Sequence, residues 1–241
     1  MKKELSLFFR NTLNYEFRNL FLLVEIYEGS YIIKTDTLEY AITDKYGQWL
    51  GSGLGEFVNS IKNKEIIYYS DIKDYPISTV KGHDGKFVLG KINGVEIICA
   101  QGRFHLYEGY DRQITELPID IFDKLGCNTS IITNAAGCMN ENWKLGEFML
   151  IKKCMDFTFM QSNDVLVNNS LITNKVKKIM NILKKDYSIY EGTYSWVTGP
   201  TYETPSEINK IKSLGGDVIG MSTMPELVKA HQYKMNIFGL S

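Results

Sequence analysis

The sequence lacks long apolar runs, and this absence argues against a membrane-spanning protein. Its best candidate, residues 20–24, stops at Glu25, whereas about 20 consecutive apolar residues are needed to span a bilayer. A secretory signal is not expected either, because charged residues interrupt the region where its apolar core would lie. These residues are Glu4, Arg10, Glu16 and Arg18. We therefore expect no membrane partner.

Cysteine, histidine and proline are scarce. The four cysteines form no CxxC pair and the three histidines are scattered, so the ligand spacing of a zinc site is missing. Widely spaced cysteines in a chain long enough to build a core are typical of a reduced, intracellular protein, and we expect a cytoplasmic location. With five prolines there is no Pro-rich linker to divide the chain.

The chain also has almost no excess of charge of either sign. Lys and Arg number 27 and Asp and Glu 28, which leaves a net charge of −1. This balance argues against a nucleic-acid partner held by a net positive field. Apolar residues make up 44%, too many for a disordered segment. The 241 residues suffice for one large domain or two small ones.

From about residue 85, the pattern alternates strands and helices. Residues 86–92 and 95–100 predict a β-hairpin with Asn93 and Gly94 at its turn. Thr204, Pro205 and Glu207 predict a helix that opens with a capping box and ends before Gly215. Other predicted helices cover residues 117–125, 171–185 and 225–234, and other predicted strands cover 130–133, 148–151, 218–220 and 236–240. This order indicates an α/β domain with a mostly parallel sheet. Residues 1–46 have weak periodicity, and we predict a helix at 4–23.

Two segments contain side chains suited to an anion, although each also has a plain structural interpretation. Residues 51–55 form a Gly-rich loop with Ser52 that could bind phosphate, although such a sequence is more often a simple turn. If strand alternation continues past residue 101, then Arg103, His105 and Tyr107 project on one side. That arrangement suits an anion, but it also fits an edge strand with a solvated arginine.

Other candidates follow predicted strands. Residues 133–137 are small enough for the backbone to approach a ligand, or for a tight turn alone. Glu203 could accept hydrogen bonds from a ligand N–H or only complement a helix dipole. Ser222 could serve only as a helix N-cap. His83 could be an exposed loop residue without a chemical role.

Six segments, in their order along the chain, resemble the trimeric class of purine nucleoside phosphorylases. They read GSGLG, VKGHDGK, QGRFHLYEGY, TNAAG, EGTYSWVTGPTYETPSEI and GMSTMPELVKA. The resemblance implies an α/β fold, with a single domain over residues 47–241 built on a central mixed, twisted β-sheet flanked by helices. It also implies a homotrimer. Residues 1–46 match poorly.

The resemblance implies phosphorolysis of purine ribonucleosides, such as inosine and guanosine, to free base and ribose 1-phosphate in purine salvage, without a metal or organic cofactor. Inorganic phosphate is then the co-substrate, and its implied contacts are Ser52, His83, Arg103, His105, the backbone of Ala135, and Ser222. Tyr107 and Met221 would contact the ribose. Tyr202 would pack on the purine, and Glu203 would accept a hydrogen bond from N1–H of a 6-oxopurine. Catalysis is assigned to His105 and Glu203.

The resemblance further implies a segment beyond Ser241 whose Asn donates to purine N7. The printed sequence does not contain it, so one alternative is a truncated or degenerate family member that binds phosphate or nucleoside with little turnover. A phosphorylase acting on 5′-methylthioadenosine is a weaker fit, because a carboxylate at Glu203 favours 6-oxopurines over 6-aminopurines.

Overall fold

A computed structural model describes residues 3–10, 19–28, 31–41, 55–80, 83–158 and 173–241. For the first three ranges only the backbone is described. The chain divides into two compact units. Unit 1 comprises Met1–Arg103 with Lys185–Tyr187, and unit 2 comprises Phe104–Lys184 with Ser188–Ser241.

The first sheet of unit 1 corrects the helix predicted at residues 4–23. It is an antiparallel meander of β1 (Lys3–Arg10), β2 (Asn19–Glu28) and β3 (Tyr31–Ala41). These segments are rich in Leu, Phe, Ile, Val and Tyr, which fit a pleated surface well. Strand β2 pairs with β3, and all residues of β3 lie outside the segment 4–23 for which the helix was predicted.

The second sheet of unit 1 contains the predicted hairpin. Its strands are β4 (Lys62–Tyr68), β5 (Lys86–Ile92) and β6 (Val95–Gln101), in that order and all antiparallel. Asn93 and Gly94 have φ values of 51° and 84°, as a type I′ turn requires. The hairpin prediction is confirmed.

Unit 2 is built on a six-stranded mixed sheet flanked by helices, which confirms the α/β class. The strands are β7 (Thr129–Thr133), β8 (Gly137–Cys138), β9 (Phe148–Asp156), β10 (Ile189–Trp196), β11 (Val218–Gly220) and β12 (Asn236–Leu240). Their order is β7-β12-β9-β10-β11-β8. Neighbours β9, β10 and β11 run parallel, as do β7 and β12, whereas β8 is antiparallel to β11 and β12 to β9.

The described part of unit 2 has four α-helices. They are α1 (Arg112–Lys124), α2 (Asn174–Leu183), α3 (Pro205–Ser213) and α4 (Met224–Gln232). Helix α1 begins five residues before the predicted start, with Asp111 as its N-cap, and Pro118 lies inside it. Proline is commoner in the first turn of a helix, so its position inside α1 is unusual.

The core of unit 2 lies around the middle strands of the sheet. Ile151 and Cys154 on β9, Tyr194 and Trp196 on β10, and Leu227 on α4 are each at most 1% exposed. Strands covered on both faces read as continuous apolar runs, which is why residues 148–151 were recognisable. This rigid centre holds the loops that follow the strands.

The capping box predicted at α3 is confirmed and gives a first stability prediction. The Thr204 hydroxyl accepts from Glu207 N–H, and the Glu207 carboxylate accepts from Thr204 N–H at 2.7 Å. Hydrogen bonds from the Thr204 backbone and then from its hydroxyl lower the pKa of Glu207. We expect Thr204→Ala to lower the free energy of unfolding by about 1 kcal/mol in urea titrations.

Ser206→Ala is the matched control for this prediction. Ser206 is exposed in the same first turn of α3 and is not the N-cap, so its loss should change stability by well under the effect of Thr204→Ala. Equal destabilisation by the two variants would show that the capping box contributes nothing specific.

Candidate functional site

The segment that follows β6 does not continue as a strand, so the expected alternation past residue 101 is wrong. Strand β6 ends at Gln101, and residues Leu106–Glu108 form one turn of 3₁₀-helix with His105 as N-cap. Gly109, with φ of 87°, closes the turn. The turn, and not a strand, therefore sets the directions of His105 and Tyr107.

Glu108 holds the His105 ring from one side. Its Oε1 accepts from the His105 backbone N–H at 2.9 Å and lies 3.0 Å from His105 Nδ1. The two side chains are only 10% and 2% exposed. A carboxylate can only accept, so the proton lies on Nδ1, and the ring is fixed with Nε2 at the opposite edge. Such a restrained imidazole is suited to binding an anion or transferring a proton.

The two residues expected to contact ribose come together in unit 2. Tyr107 stacks on His105, with ring centroids 4.6 Å apart and planes at 18°. A Cβ on Gly199 would lie 3.0 Å from Tyr107 Cδ1 and 3.0 Å from Met221 Cγ, so both side chains border the same glycine. His105 therefore contacts Tyr107, and Tyr107 and Met221 lie on either side of Gly199.

Met221 and Ser222 lie in the turn between β11 and α4. The Ser222 N–H donates to the phenol oxygen of Tyr194 at 3.3 Å, and the Ser222 hydroxyl lies 3.1 Å from that of Thr223. Met224 N–H donates to Ser222 O at 2.8 Å across Thr223, whose φ and ψ are 74° and −45°. An i→i+2 bond with these angles is a strained γ-turn, unusual for a β-branched residue.

Ala135 lies two residues before strand β8. Strand β8 pairs antiparallel with β11, with Gly137 opposite Ile219 and Cys138 opposite Val218. Ala135 is exposed, and β11, the partner of β8, ends one residue before Met221.

Tyr202 and Glu203 lie between β10 and α3, immediately before the capped N-terminus. The Tyr202 side chain is 90% exposed and Glu203 is half-buried. Because β10 and β11 are parallel, the segments that follow them leave the sheet at the same edge. An exposed aromatic ring beside a carboxylate at such an edge is suited to a planar heterocycle with an N–H donor.

The remaining predicted phosphate contacts belong to unit 1. The Arg103 backbone N–H donates to His83 Nδ1 at 3.0 Å, so the loop with His83 is tied to the chain at Arg103. The backbone contact confirms that these two residues are neighbours. Ser52 lies outside the described residues.

Cys99 and Cys154 are not suited to act as nucleophiles in covalent chemistry. All four are unpaired, and burial raises the pKa of Cys99 to about 11 and that of Cys154 to about 12. A thiol nucleophile needs a depressed pKa instead. Over the described ranges, no cluster of three His, Cys, Asp or Glu side chains could hold a metal. The same ranges contain no helix that is long and apolar enough to cross a membrane.

Sequence reasoning missed three residues of this region: Glu108, Tyr194 and Thr223. The spacing His-x-x-Glu fits an N-cap and N3 pair, so a capping-box search over residues 105–108 could have found Glu108. Tyr194 lies 28 positions from the serine it contacts, and the positive φ of Thr223 has no local sequence signal.

Comparison with known proteins identifies the family. The model of the Phosphorylase superfamily matches residues 46–241. Purine nucleoside phosphorylase 1 of Bacillus subtilis is 38% identical over 216 residues, covering 82% of this chain and 77% of the relative. The Bos taurus purine nucleoside phosphorylase is 35% identical over 208 residues, covering 79% and 72%. The chain therefore belongs to the phosphorylase superfamily, among its purine nucleoside phosphorylases.

Solved structures agree with this assignment. A Schistosoma purine nucleoside phosphorylase in complex with hypoxanthine is 30% identical, with a TM-score of 0.68 over 79% of this chain and 73% of that one. Isoform 2 from Schistosoma mansoni, in complex with cytosine and ribose-1-phosphate, is 35% identical with the same TM-score and coverage. A second family model, described as GldH lipoprotein, matches residues 1–82, which include the β1–β3 meander.

Proposed function

We propose that this protein catalyses the phosphorolysis of 6-oxopurine ribonucleosides, such as inosine and guanosine, in purine salvage. The observation that carries the proposal is the series of contacts that links His105 to Tyr107 and brings Tyr107 and Met221 to the same glycine, with Glu108 fixing the histidine and Ser222 following Met221. An oriented imidazole stacked on an aromatic ring suits a phosphorylated sugar. Family membership supplies the reaction class.

The chemistry follows from where charge develops. The bond between ribose C1′ and purine N9 breaks, and its electron pair leaves with the base while positive charge builds on the sugar. A phosphate held beneath C1′ stabilises that charge and then forms the new C1′–O bond. The products are ribose 1-phosphate and the purine, which takes up a proton.

Each proposed site residue is assigned to the phosphate, the ribose or the base. We assign phosphate to the imidazole of His105, the hydroxyl of Ser222 and the backbone of Ala135 in unit 2. Ser52, His83 and Arg103 of unit 1 have the same expected role. Tyr107 and Met221 would border the ribose. Tyr202 would stack on the base, and the Glu203 carboxylate would accept from N1–H.

The proposal also covers the oligomeric state of the protein, its cellular location and its domain organisation. The resemblance supports a homotrimer in the cytoplasm. We also propose that residues 47–241 form the phosphorylase part and that residues 1–46 are an addition. The separate meander and the GldH lipoprotein match over residues 1–82 support the second statement. Sedimentation of the full chain, with a mass of 27.6 kDa, would test the trimer.

The decisive experiment follows both products from inosine. The purified full chain is incubated with inosine with and without phosphate, and hypoxanthine and ribose 1-phosphate are quantified by chromatography. We expect equal amounts of the two products, formed only when phosphate is present. A heat-inactivated sample is the control.

Three other outcomes would redirect the proposal. Formation of free ribose would indicate hydrolysis and contradict phosphorolysis. Calorimetric binding of phosphate or inosine without turnover would support the alternative of a family member that binds but does not turn over. Faster cleavage of 5′-methylthioadenosine than of inosine would contradict the assignment of Glu203 to a 6-oxopurine.

A further inference from the structure

Tyr194 is a fully buried tyrosine whose polar end reaches the candidate site. It lies on β10, opposite Val218 of the parallel strand β11, and its side chain is 0% exposed. Its phenol oxygen accepts from the backbone N–H of Ser222 at 3.3 Å. A buried phenol needs a polar partner, and this one lies in the turn between β11 and α4.

Strand β11 has a glycine at the position where the Tyr194 ring packs against its backbone. A Cβ on Gly220, the last residue of the strand, would lie 3.0 Å from Tyr194 Cζ and 3.2 Å from Cε2, and would also meet the phenol oxygen. Real Cβ atoms rarely approach other heavy atoms so closely. Gly220 therefore lets the ring reach the Ser222 backbone directly.

The turn that the phenol contacts is strained. Thr223 has φ of 74° and is 0% exposed, and the γ-turn bond runs from Met224 N–H to Ser222 O. A backbone of this kind is energetically unfavourable and persists only where its surroundings fix it. The bond from Ser222 N–H to Tyr194 is one such restraint, and it acts on the residue just before Thr223.

We propose that Tyr194 is a positioning residue for the phosphate site: its phenol oxygen fixes the backbone of Ser222, and through it the direction of the Ser222 hydroxyl. The inference rests on the proposed function, in which that hydroxyl contacts phosphate. Tyr194 itself touches neither phosphate nor ribose in this account. Tyr202 and Glu203 lie on a different loop, so the purine contacts are independent of it.

Tyr194→Phe removes the acceptor and keeps the ring. The control is Tyr190→Phe, because Tyr190 lies on the same strand and its phenol oxygen accepts the Lys144 backbone N–H at 3.1 Å, away from Ser222. Calorimetry would measure the Kd for inorganic phosphate and, separately, for hypoxanthine. We expect Tyr194→Phe to raise the phosphate Kd roughly five- to tenfold and to leave the hypoxanthine Kd unchanged. Tyr190→Phe should change neither.

The outcomes separate the inference from the proposed function. If wild type cleaves inosine but Tyr194→Phe binds phosphate as wild type does, the inference is wrong and the function stands. If both affinities fall together, Tyr194 is only structural, which also overturns the inference. A wild-type chain that neither binds phosphate nor cleaves inosine contradicts the proposed function, and the inference with it.

Gly220→Ala tests the same contact from the other side. Its Cβ would displace the Tyr194 ring, so we expect a rise in phosphate Kd larger than that of Tyr194→Phe. In the Y194F background the phenol oxygen is already absent, so adding Gly220→Ala should cost less than it costs in wild type. Strict additivity of the two effects would contradict the proposed contact.

Discussion

Replacing His105 with alanine is expected to lower kcat/KM for inosine by about 10²–10³-fold, because one preorganised group at a developing charge typically contributes that much. The ring is 90% buried and Glu108 fixes it, so no other side chain can take its place without rebuilding the turn. Steady-state phosphorolysis over a range of phosphate concentrations measures the effect. We expect the KM for phosphate to rise as well.

His231→Ala is the matched control for this prediction. His231 lies on α4, is exposed, and has no assigned role, so its loss should leave kcat/KM within about twofold of wild type. Equal losses in the two variants would show that His105 is not part of the phosphate site.

Glu108 provides a second check on the same prediction. If Glu108 acts by orienting His105, Glu108→Gln should lower kcat/KM when His105 is present and add little once it is alanine. The double-mutant cycle measures this coupling. Additive losses would show that Glu108 acts on the substrate independently of the imidazole.

The parts of the fold that could be predicted depend on contacts close in sequence. The pair that closes the Asn93-Gly94 turn and the box between Thr204 and Glu207 each join residues three positions apart, and both predictions are confirmed. Strand β1, by contrast, is stabilised by pairing with β2, as Leu5 with Ile26 shows. Such pairing leaves no periodic signal within a single window, and the helix prediction failed there.

The same difference between contacts close in sequence and contacts between distant segments applies to the candidate site. His105 and Glu203 belong to specific segments, so resemblance pointed to them directly. The orientation of the imidazole depends on Glu108, and the restraint on Ser222 depends on Tyr194, a residue of a different strand. Packing between distant elements decides such geometry, and one sequence read alone does not contain it. The identities of the groups were therefore predictable, whereas the contacts that hold them were not.

Glu203→Ala is expected to change the choice of base more than any other single substitution. In the proposed complex the carboxylate accepts from N1–H, which a 6-oxopurine has and a 6-aminopurine lacks. A hydrogen bond to a charged group contributes about 1.5–3 kcal/mol. Its loss should therefore lower kcat/KM for inosine by about tenfold to about 150-fold. Adenosine does not make this bond, so its smaller kcat/KM should change little, and the ratio of the two values measures specificity.

Glu207→Gln separates specificity from stability in this test. Glu207 lies four residues further on and closes the capping box of the same helix, so its change weakens α3 without touching the base. We expect a lower unfolding midpoint and an unchanged ratio of inosine to adenosine. Glu203→Ala should give the reverse, a shifted ratio with little change in the midpoint. If Glu203→Ala slows both nucleosides equally, the carboxylate does not read N1–H. Base selection would then have to come from other contacts, such as stacking on Tyr202, because no other carboxylate is assigned to the purine.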